Sequence, residues 1–365
     1  MNKLKDGLVV IAGGGSGGHV FPALAIAQGL VDEGIPSKNI IFYGSKRTLE
    51  SEVVPQAGYE LVTFSGRGLN RNEYLKNIGN TFAIFLACLK ACFLLAKNRP
   101  QVVVGVGGYA SVPALFAATI LRIPRVIHEQ NSYVGRTNAL AQKFGAKMLT
   151  TFEHTKGAES NSTRVGLPMR ENISELQELR KKFLDSKRSR PVVLVSGGSL
   201  GSLAINNAVI EMMVKFKSKI NFDLVHICGV QHYETVREKY EDNGISSMVS
   251  LHSFRDDIFA MYARSNCVIS RAGAGTCVEL ESLAVKCILI PLPNAPGDHQ
   301  RLNASGLVNS GTGVILSQSA LNPDALFEQV ESMLSNDEVN EPNSFHNEAK
   351  RRIASYLIET YLLSN

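Results

Sequence analysis

Three clusters of glycine, hydroxyl and imidazole residues stand where apolar runs end, and these can do chemistry. The first is Gly13-Gly14-Gly15-Ser16-Gly17-Gly18-His19, between the run 8–12 and the periodic apolar residues Leu24, Ile26, Ala27, Leu30 and Val31. This pattern predicts strand, tight turn and helix. Glycine reaches backbone angles that a Cβ forbids, so a ligand can approach the main chain there. A helix opening has unpaired N–H groups and the positive end of the helix dipole. Such an opening takes an anion or a polar sugar. His19 falls at that opening, where its charged form is disfavoured. A neutral imidazole beside a ligand-cradling loop has the chemistry of a general base.

The other two clusters are Gly107-Gly108-Tyr109-Ala110-Ser111 and His128-Glu129-Gln130-Asn131, each at the end of an apolar run. Ligands of parallel α/β sheets bind beyond the carboxyl ends of the strands, so three loops converge on one crevice. Glu129 is a second candidate base, with His128 behind it, and Tyr109 joins the same side. Gly13, Gly15 and Gly18 also satisfy the dinucleotide pattern G-x-G-x-x-G. That reading needs an acid after the second strand, and Gly44-Ser45-Lys46-Arg47 supplies none.

The second half repeats the first. The segment 191–201, Pro-Val-Val-Leu-Val-Ser-Gly-Gly-Ser-Leu-Gly, is again a strand running into a glycine turn, with Ser199 within it. Ser270-Arg271-Ala272-Gly273-Ala274-Gly275-Thr276-Cys277-Val278 follows another strand and opens a helix. Small residues let N–H groups approach a diphosphate there. Glu279 and Glu281 follow on that helix. Either a carboxylate accepts ribose hydroxyls or the acids are solvated. The proline-rich loop 291–300 ends in Asp298, His299 and Gln300, all able to bind sugar hydroxyls. No carboxylate pair, Ser-His-Asp order, metal triad or D-x-D motif emerges, so no metal is expected.

These loops need a scaffold, and strand and helix signals alternate along the whole chain. That predicts an α/β fold with parallel sheets. Strands are expected at 8–12, 40–43, 60–64, 102–105, 125–127 and 147–150, then in the apolar run that opens 191–201 and at 223–227, 248–251, 267–269, 287–290 and 313–316. The polar stretch 153–168 reads as a link. Two Rossmann-like domains result, at 1–165 and 166–344, facing across a cleft that would hold the site. The last stretch, 345–363, reads as one amphipathic helix packing back on the first domain.

The 365 residues, 44% hydrophobic and 19% charged, suit a globular protein of two domains. A net charge of +5 falls short of a nucleic-acid binder. Six cysteines lack metal-ligand spacing and read as reduced core residues. The polar start, 1–7, shows no signal peptide. The apolar stretch 78–96, broken by Lys90, is too short and interrupted to span a bilayer. It is either a buried helix or one whose outer face touches anionic lipid, since its neighbourhood carries Arg67, Arg71, Lys76, Lys90, Lys97 and Arg99 against Glu73.

Over nearly its full length the chain resembles the bacterial cell-wall transferases that add N-acetylglucosamine to the undecaprenyl-linked muramyl-pentapeptide. The resemblance rests on GGGSGGHVFPALAIA, GVGGYASVPA, IHEQNSYVGRTN, VGLPMR, SGGSLGS, RAGAGT with Glu279, and DHQRLNA. It implies the two-domain GT-B fold, inversion at the anomeric carbon and no cofactor. It also implies residence on the cytoplasmic face of the inner membrane, among cell-wall synthesis and division proteins, and lipid contact for 78–96. On that pattern Ser199 and 274–279 (Ala274, Gly275, Thr276, Cys277, Val278, Glu279) hold the diphosphate and ribose of UDP-N-acetylglucosamine. Arg255 offers main-chain contacts to uracil. Gln300 binds the sugar, with Arg170 and Asn131 closing on it. Ser16, Gly17, Gly18 and His19 face the acceptor diphosphate. Ser16 stands where the family has threonine, Leu200 where glutamine is commoner, and Arg255 where an apolar residue is commoner.

Overall fold

The computed structural model describes residues 7–46, 48–65, 74–170, 172–186, 188–198, 200–336 and 341–363, with side chains of the third helix from Thr81 onward. By backbone contacts the chain forms two units, Met1–Arg170 with Phe345–Asn365, and Glu171–Ser344. The division falls after Arg170, five residues beyond the boundary expected from the sequence.

The first unit runs β1 (Val9–Ala12), α1 (Gly17–Asp32), β2 (Ile40–Ser45), α2 (Glu50–Gln56), β3 (Glu60–Phe64), α3 (Tyr74–Asn98), β4 (Val102–Gly105), α4 (Val112–Ile120), β5 (Arg125–Glu129), α5 (Arg136–Lys143), β6 (Lys147–Thr150) and β7 (Thr163–Arg164). All strands are parallel, in the order β3-β2-β1-β4-β5-β6-β7. β1 and β4 are buried along their whole length, because helices cover both sheet faces, and such strands read as unbroken apolar runs. β7 lies inside the stretch read as a link. Two residues, threonine and arginine, pair with the edge of β6 and carry no apolar signal.

The second unit runs α6 (Ile173–Asp185), β8 (Val192–Ser196), α7 (Leu203–Lys215), β9 (Asp223–Ile227), α8 (Tyr233–Asp242), β10 (Val249–His252), α9 (Ile258–Ala263), β11 (Cys267–Ser270), α10 (Ala274–Ser282), β12 (Lys286–Leu289), α11 (His299–Asn303), α12 (Ser305–Asn309), β13 (Gly313–Ile315) and α13 (Pro323–Ser335). Its parallel sheet is ordered β10-β9-β8-β11-β12-β13. Strand order reverses direction between β1 and β4 in one sheet and between β8 and β11 in the other. Ligands of open α/β sheets bind at such switch points. Both glycine turns, 13–16 and 197–201, stand there.

The chain returns to the first unit as α14 (Ala349–Leu357). Ile353, Ala354, Leu357 and Leu362 join the core formed with Ala23, Ile26, Ala27 and Leu30 of α1. Fully burying each such leucine or isoleucine contributes about 1.5–3 kcal/mol. The expected single helix 345–363 is instead a 3-10 turn at Ser344–Glu348, then α14, then a π turn at Ile358–Leu362. The entry is held by long-range contacts. Leu167 N donates to His346 Nδ1 at 3.1 Å, and Arg352 Nε donates to Val165 O at 2.9 Å. The Arg164 and Arg352 guanidinium groups lie 4.0 and 3.9 Å from the Phe345 ring centroid.

Candidate active site

The first glycine turn leads into α1 without a side-chain cap. Ser16 is extended, and its Oγ lies 3.1 Å from His19 Nδ1 rather than bonding a helix N–H. Pro22 lacks the N–H that would bond Gly18 O. The first turn is held by Ser16 O, which accepts from His19 N and Val20 N at 3.1 and 3.0 Å. The N–H groups of Gly17 and Gly18 therefore open the helix.

His19 is half-buried, and its ring lies against the Gly107-Gly108 turn. A Cβ at Gly107 would stand 3.1 Å from His19 Cδ2, and one at Gly108 would stand 2.6 Å from Gly14 O. Both glycines have positive φ, +89° and +74°, a conformation that L side chains rarely adopt, and at Gly107 a Cβ would also crowd the imidazole. Burial lowers the His19 pKa below 6.5, against the opposing pull of Glu129 and Glu50. The imidazole is neutral at pH 7. Tyr109 reaches the same turn, its Cε1 3.9 Å from where a Gly15 Cβ would be.

Glu129 ends β5, and both its oxygens are engaged. Oε1 accepts from Asn131 N at 3.1 Å and Asn131 Nδ2 at 3.3 Å. Oε2 accepts from Gly135 N at 2.9 Å and Asn138 Nδ2 at 2.9 Å. This carboxylate shapes the loop between β5 and α5, and Asn131 folds back onto it. His128 does not face the acceptor side, contrary to the sequence expectation. It is fully buried, donates through Nε2 to Gly166 O at 2.9 Å and accepts from Gln130 Nε2 at Nδ1. Successive strand residues alternate faces. His128 shares its face with Val126, whose side chain belongs to the α1 and α14 core. Arg170 lies over the Phe21 ring of α1, 4.3 Å from its centroid.

Burial holds His128 at about 4, His346 at about 3 and, in the second unit, His226 at about 3. Each folded pKa lies below the unfolded value, so the unfolded chain binds more protons below about 6.5. Stability contributed by the neutral rings is complete above pH 6.5 and is lost on acidification toward pH 4 and below. Each histidine should contribute a slope of about 1.4 kcal/mol per pH unit there. Urea unfolding at stepped pH checks this, and a flat profile between pH 6.5 and 4 would contradict it.

In the second unit, the turn after β8 packs against the β9 exit. A Cβ at Gly201, φ +75°, would meet Cys228 O at 2.1 Å. Ser199 lies outside the described residues. Leu200 is exposed. Arg271, which the motif reading left without a task, joins the loops after four strands. Nη1 donates to Ile290 O at 3.1 Å and Pro291 O at 3.2 Å. Nη2 donates to Ser202 Oγ at 2.8 Å and Gln318 Oε1 at 2.7 Å. Ser202 in turn caps α7 through Ile205 N.

α10 begins after Gly273 with no side-chain cap, so its first N–H groups are presented by Ala274, Gly275 and Thr276. The Cys277 and Val278 side chains are core; only their backbone is available to a ligand. The Glu279 carboxylate reaches back along the helix, Oε1 standing 3.3 Å from a Cβ placed on Gly275. Thr276 hydrogen-bonds the buried Tyr262 phenol. Glu281 is not a solvated acid. Its Oε1 accepts from Asn343 Nδ2 at 3.0 Å. Gln300 Oε1 accepts from Leu292 N at 2.8 Å, fixing its amide over the proline-rich loop. His299 Nδ1 donates to Pro296 O and closes that loop. The Arg255 side chain is a bidentate partner of Asp257, at 2.7 and 2.6 Å, so only its backbone can meet a base.

Two parallel sheets, each with a glycine turn at its switch point, one carrying a neutral histidine and the other a helix opening with Glu279, define a GT-B glycosyltransferase. Residues 9–150 match the glycosyltransferase family 28 N-terminal domain and residues 192–357 its C-terminal domain. A UDP-N-acetylglucosamine--N-acetylmuramyl-(pentapeptide) pyrophosphoryl-undecaprenol N-acetylglucosamine transferase of Desulforamulus reducens is 34% identical over 90% of each chain. One from Myxococcus xanthus is 37% identical, covering 90% of this chain and 85% of its own. The crystal structure of MurG from Acinetobacter baumannii superposes with a TM-score of 0.75 at 25% identity, covering 97% of this chain and 99% of that one. The chain belongs to this N-acetylglucosamine transferase family within glycosyltransferase family 28.

Proposed function

We propose that the protein transfers N-acetylglucosamine from UDP-N-acetylglucosamine to the muramyl 4-hydroxyl of undecaprenyl-diphospho-muramyl-pentapeptide, inverting the anomeric centre. The carrying observation is the neutral His19 on a glycine turn, in a chain aligned over 90% of its length with transferases of that name. The acceptor oxygen attacks the anomeric carbon, and the bond from that carbon to the diphosphate breaks. UDP leaves with the electron pair, and the hydroxyl proton passes to His19. Ser16 Oγ accepts from Nδ1–H, leaving the Nε2 lone pair to take the proton. Glu129, with both oxygens engaged, positions the loop instead. The α10 N–H groups and helix dipole stabilise the leaving diphosphate. Glu279 accepts the ribose hydroxyls, Gln300 the sugar.

UDP release should require a short-chain lipid-linked muramyl-pentapeptide, give a β-linked disaccharide and resist EDTA. Release of free N-acetylmannosamine from the donor alone would support an epimerase instead. No release with this acceptor would sink the assigned acceptor.

We also infer that the protein works at the cytoplasmic face of the inner membrane, on anionic lipid. Support comes from one exposed apolar face: Phe82, Phe85, Leu86, Leu89 and Phe93 on α3, Phe116 and Ile120 on α4, and Leu140 and Phe144 at α5. Phe82 is 63% exposed and Phe93 70%. The opposite face of α3, with Ala87, Cys88, Ala91 and Leu95, is locked into the core, so the helix lies along a surface. Arg99, Arg122 and Lys143 are exposed nearby, a pairing suited to anionic headgroups. Lys90 is not among these cations, since its Nζ donates to Thr63 O at 3.1 Å. Arg67, Arg71, Glu73 and the Lys76 side chain lie outside the described residues. Phe85→Glu with Phe93→Glu should abolish co-sedimentation with phosphatidylglycerol-containing vesicles and leave turnover of a soluble short-chain acceptor intact. Unchanged co-sedimentation would overturn the assignment.

A further inference from the structure

The glycine turn that carries His19 rests on a buried carboxylate. Glu50, the first residue of α2, is 1% exposed. Its Oε2 accepts from Gly15 N at 3.0 Å and its Oε1 from Ser45 N at 2.9 Å. The backbone is cleared for it on two sides. A Cβ on Gly14 would lie 2.0 Å from Glu50 Oε1, and one on Gly44 would lie 2.8 Å from Glu50 Cγ. The acid absent from the sequence after β2 thus arrives from α2, underneath the turn. It takes Gly15 N, which a diphosphate would otherwise use, and ties the turn to the β2 exit.

A carboxylate under that turn acts on whatever charge appears above it. An imidazolium there is stabilised. The charged and titratable groups around His19 are Glu50 from α2, Glu129 from β5 and Tyr109 beside the Gly108 turn. Glu129 and Glu50 both favour the protonated ring, against burial.

We propose that Glu50 is a positioning residue for the transfer reaction, fixing the turn that aims His19 and lending its charge to the imidazolium formed when His19 takes the acceptor proton. This rests on His19 being the base. Charge-assisted hydrogen bonds from backbone N–H groups are about twice as strong as neutral ones, so a rigid turn follows from the same contacts. A glutamine cannot reproduce both bonds, because its amide nitrogen has no lone pair for an N–H. Aspartate keeps the charge with a shorter reach.

The test compares wild type, Glu50→Gln, Glu50→Asp and His19→Ala as full-length proteins, over a pH series, with separate KM values for donor and acceptor. Glu50→Gln should lower kcat by about 10–100-fold, within the range of general-base contributions, and leave donor KM unchanged. Losing the negative charge lowers the His19 pKa, so the acid limb of kcat/KM should move to lower pH; Glu50→Asp should keep that limb in place. A folded Glu50→Gln enzyme with wild-type kcat and an unmoved limb overturns the proposal. If Glu50→Gln does not fold, NMR titration of His19 in Glu50→Asp and wild type decides, and a neutral His19 in Glu50→Asp with a pKa displaced as if the charge were absent overturns it. Should His19→Ala itself turn over normally, the base assignment fails first; normal Glu50→Gln beside an inactive His19→Ala refutes only the role of Glu50.

Discussion

His19→Ala is expected to lower kcat by about 10²–10⁴-fold, with the KM for UDP-N-acetylglucosamine unchanged. On the proposed assignment the donor motifs lie in the second unit, while His19 stands on the first glycine turn against Gly107 and Gly108, so ground-state donor binding should not depend on it. The turn survives because Ser16 O, not the imidazole, holds the first helical N–H groups. Burial lowers the His19 pKa below 6.5, and only the neutral ring accepts a proton. Activity should therefore be complete at pH 7 and fall on acidification through a midpoint below 6.5, a limb that His19→Ala lacks. An alanine enzyme with near-normal turnover that binds both substrates would remove His19 as the base.

Arg271→Met is the second large effect. Methionine matches much of the stem but leaves the acceptors of three other strand-end loops without their shared donor. A hydrogen bond to a charged group contributes about 1.5–3 kcal/mol. Losing this hub should cost about 3 kcal/mol of second-unit stability even if water replaces part of it. The same loops frame the α10 opening, so the donor KM should rise at least about tenfold, equivalent to 1.4 kcal/mol. Arg271→Lys should restore little, since an ammonium cannot reproduce the planar fork. Thermal unfolding and donor KM are the measurements. Both unchanged would mean that Arg271 is dispensable to the donor loops.

Strand positions were legible because both sheets are parallel and covered on two faces, so each strand is an unbroken apolar run. β7 was not legible, since Thr163 and Arg164 pair only by backbone at the sheet edge. The C-terminal segment was read as one helix because its apolar spacing is helical; the turns at its ends answer to Val165, Leu167 and other distant partners. The glycine turns and the position of His19 at a helix opening were legible, since they are local features of the chain. The tasks of Glu50, Glu129 and Arg271 could not, because each is defined by groups brought in by strand order or by a loop folding back. For His128 a signal existed. Its alternation with Val126 on a buried strand marks it as interior.

The return of 345–363 to the first unit bears on how the chain folds as it is made. The second unit is continuous, 171–344, and can close its core as soon as it emerges from the ribosome. The first unit cannot. Until Ile353, Leu357 and Leu362 arrive, the α1 face formed by Ala23, Ile26, Ala27 and Leu30 stays open to water. The half that carries His19 thus waits for residues synthesised only after the whole of 171–344 has been made. During that interval it exposes an apolar groove, and truncation near residue 345 should leave that groove uncovered in the half that carries His19.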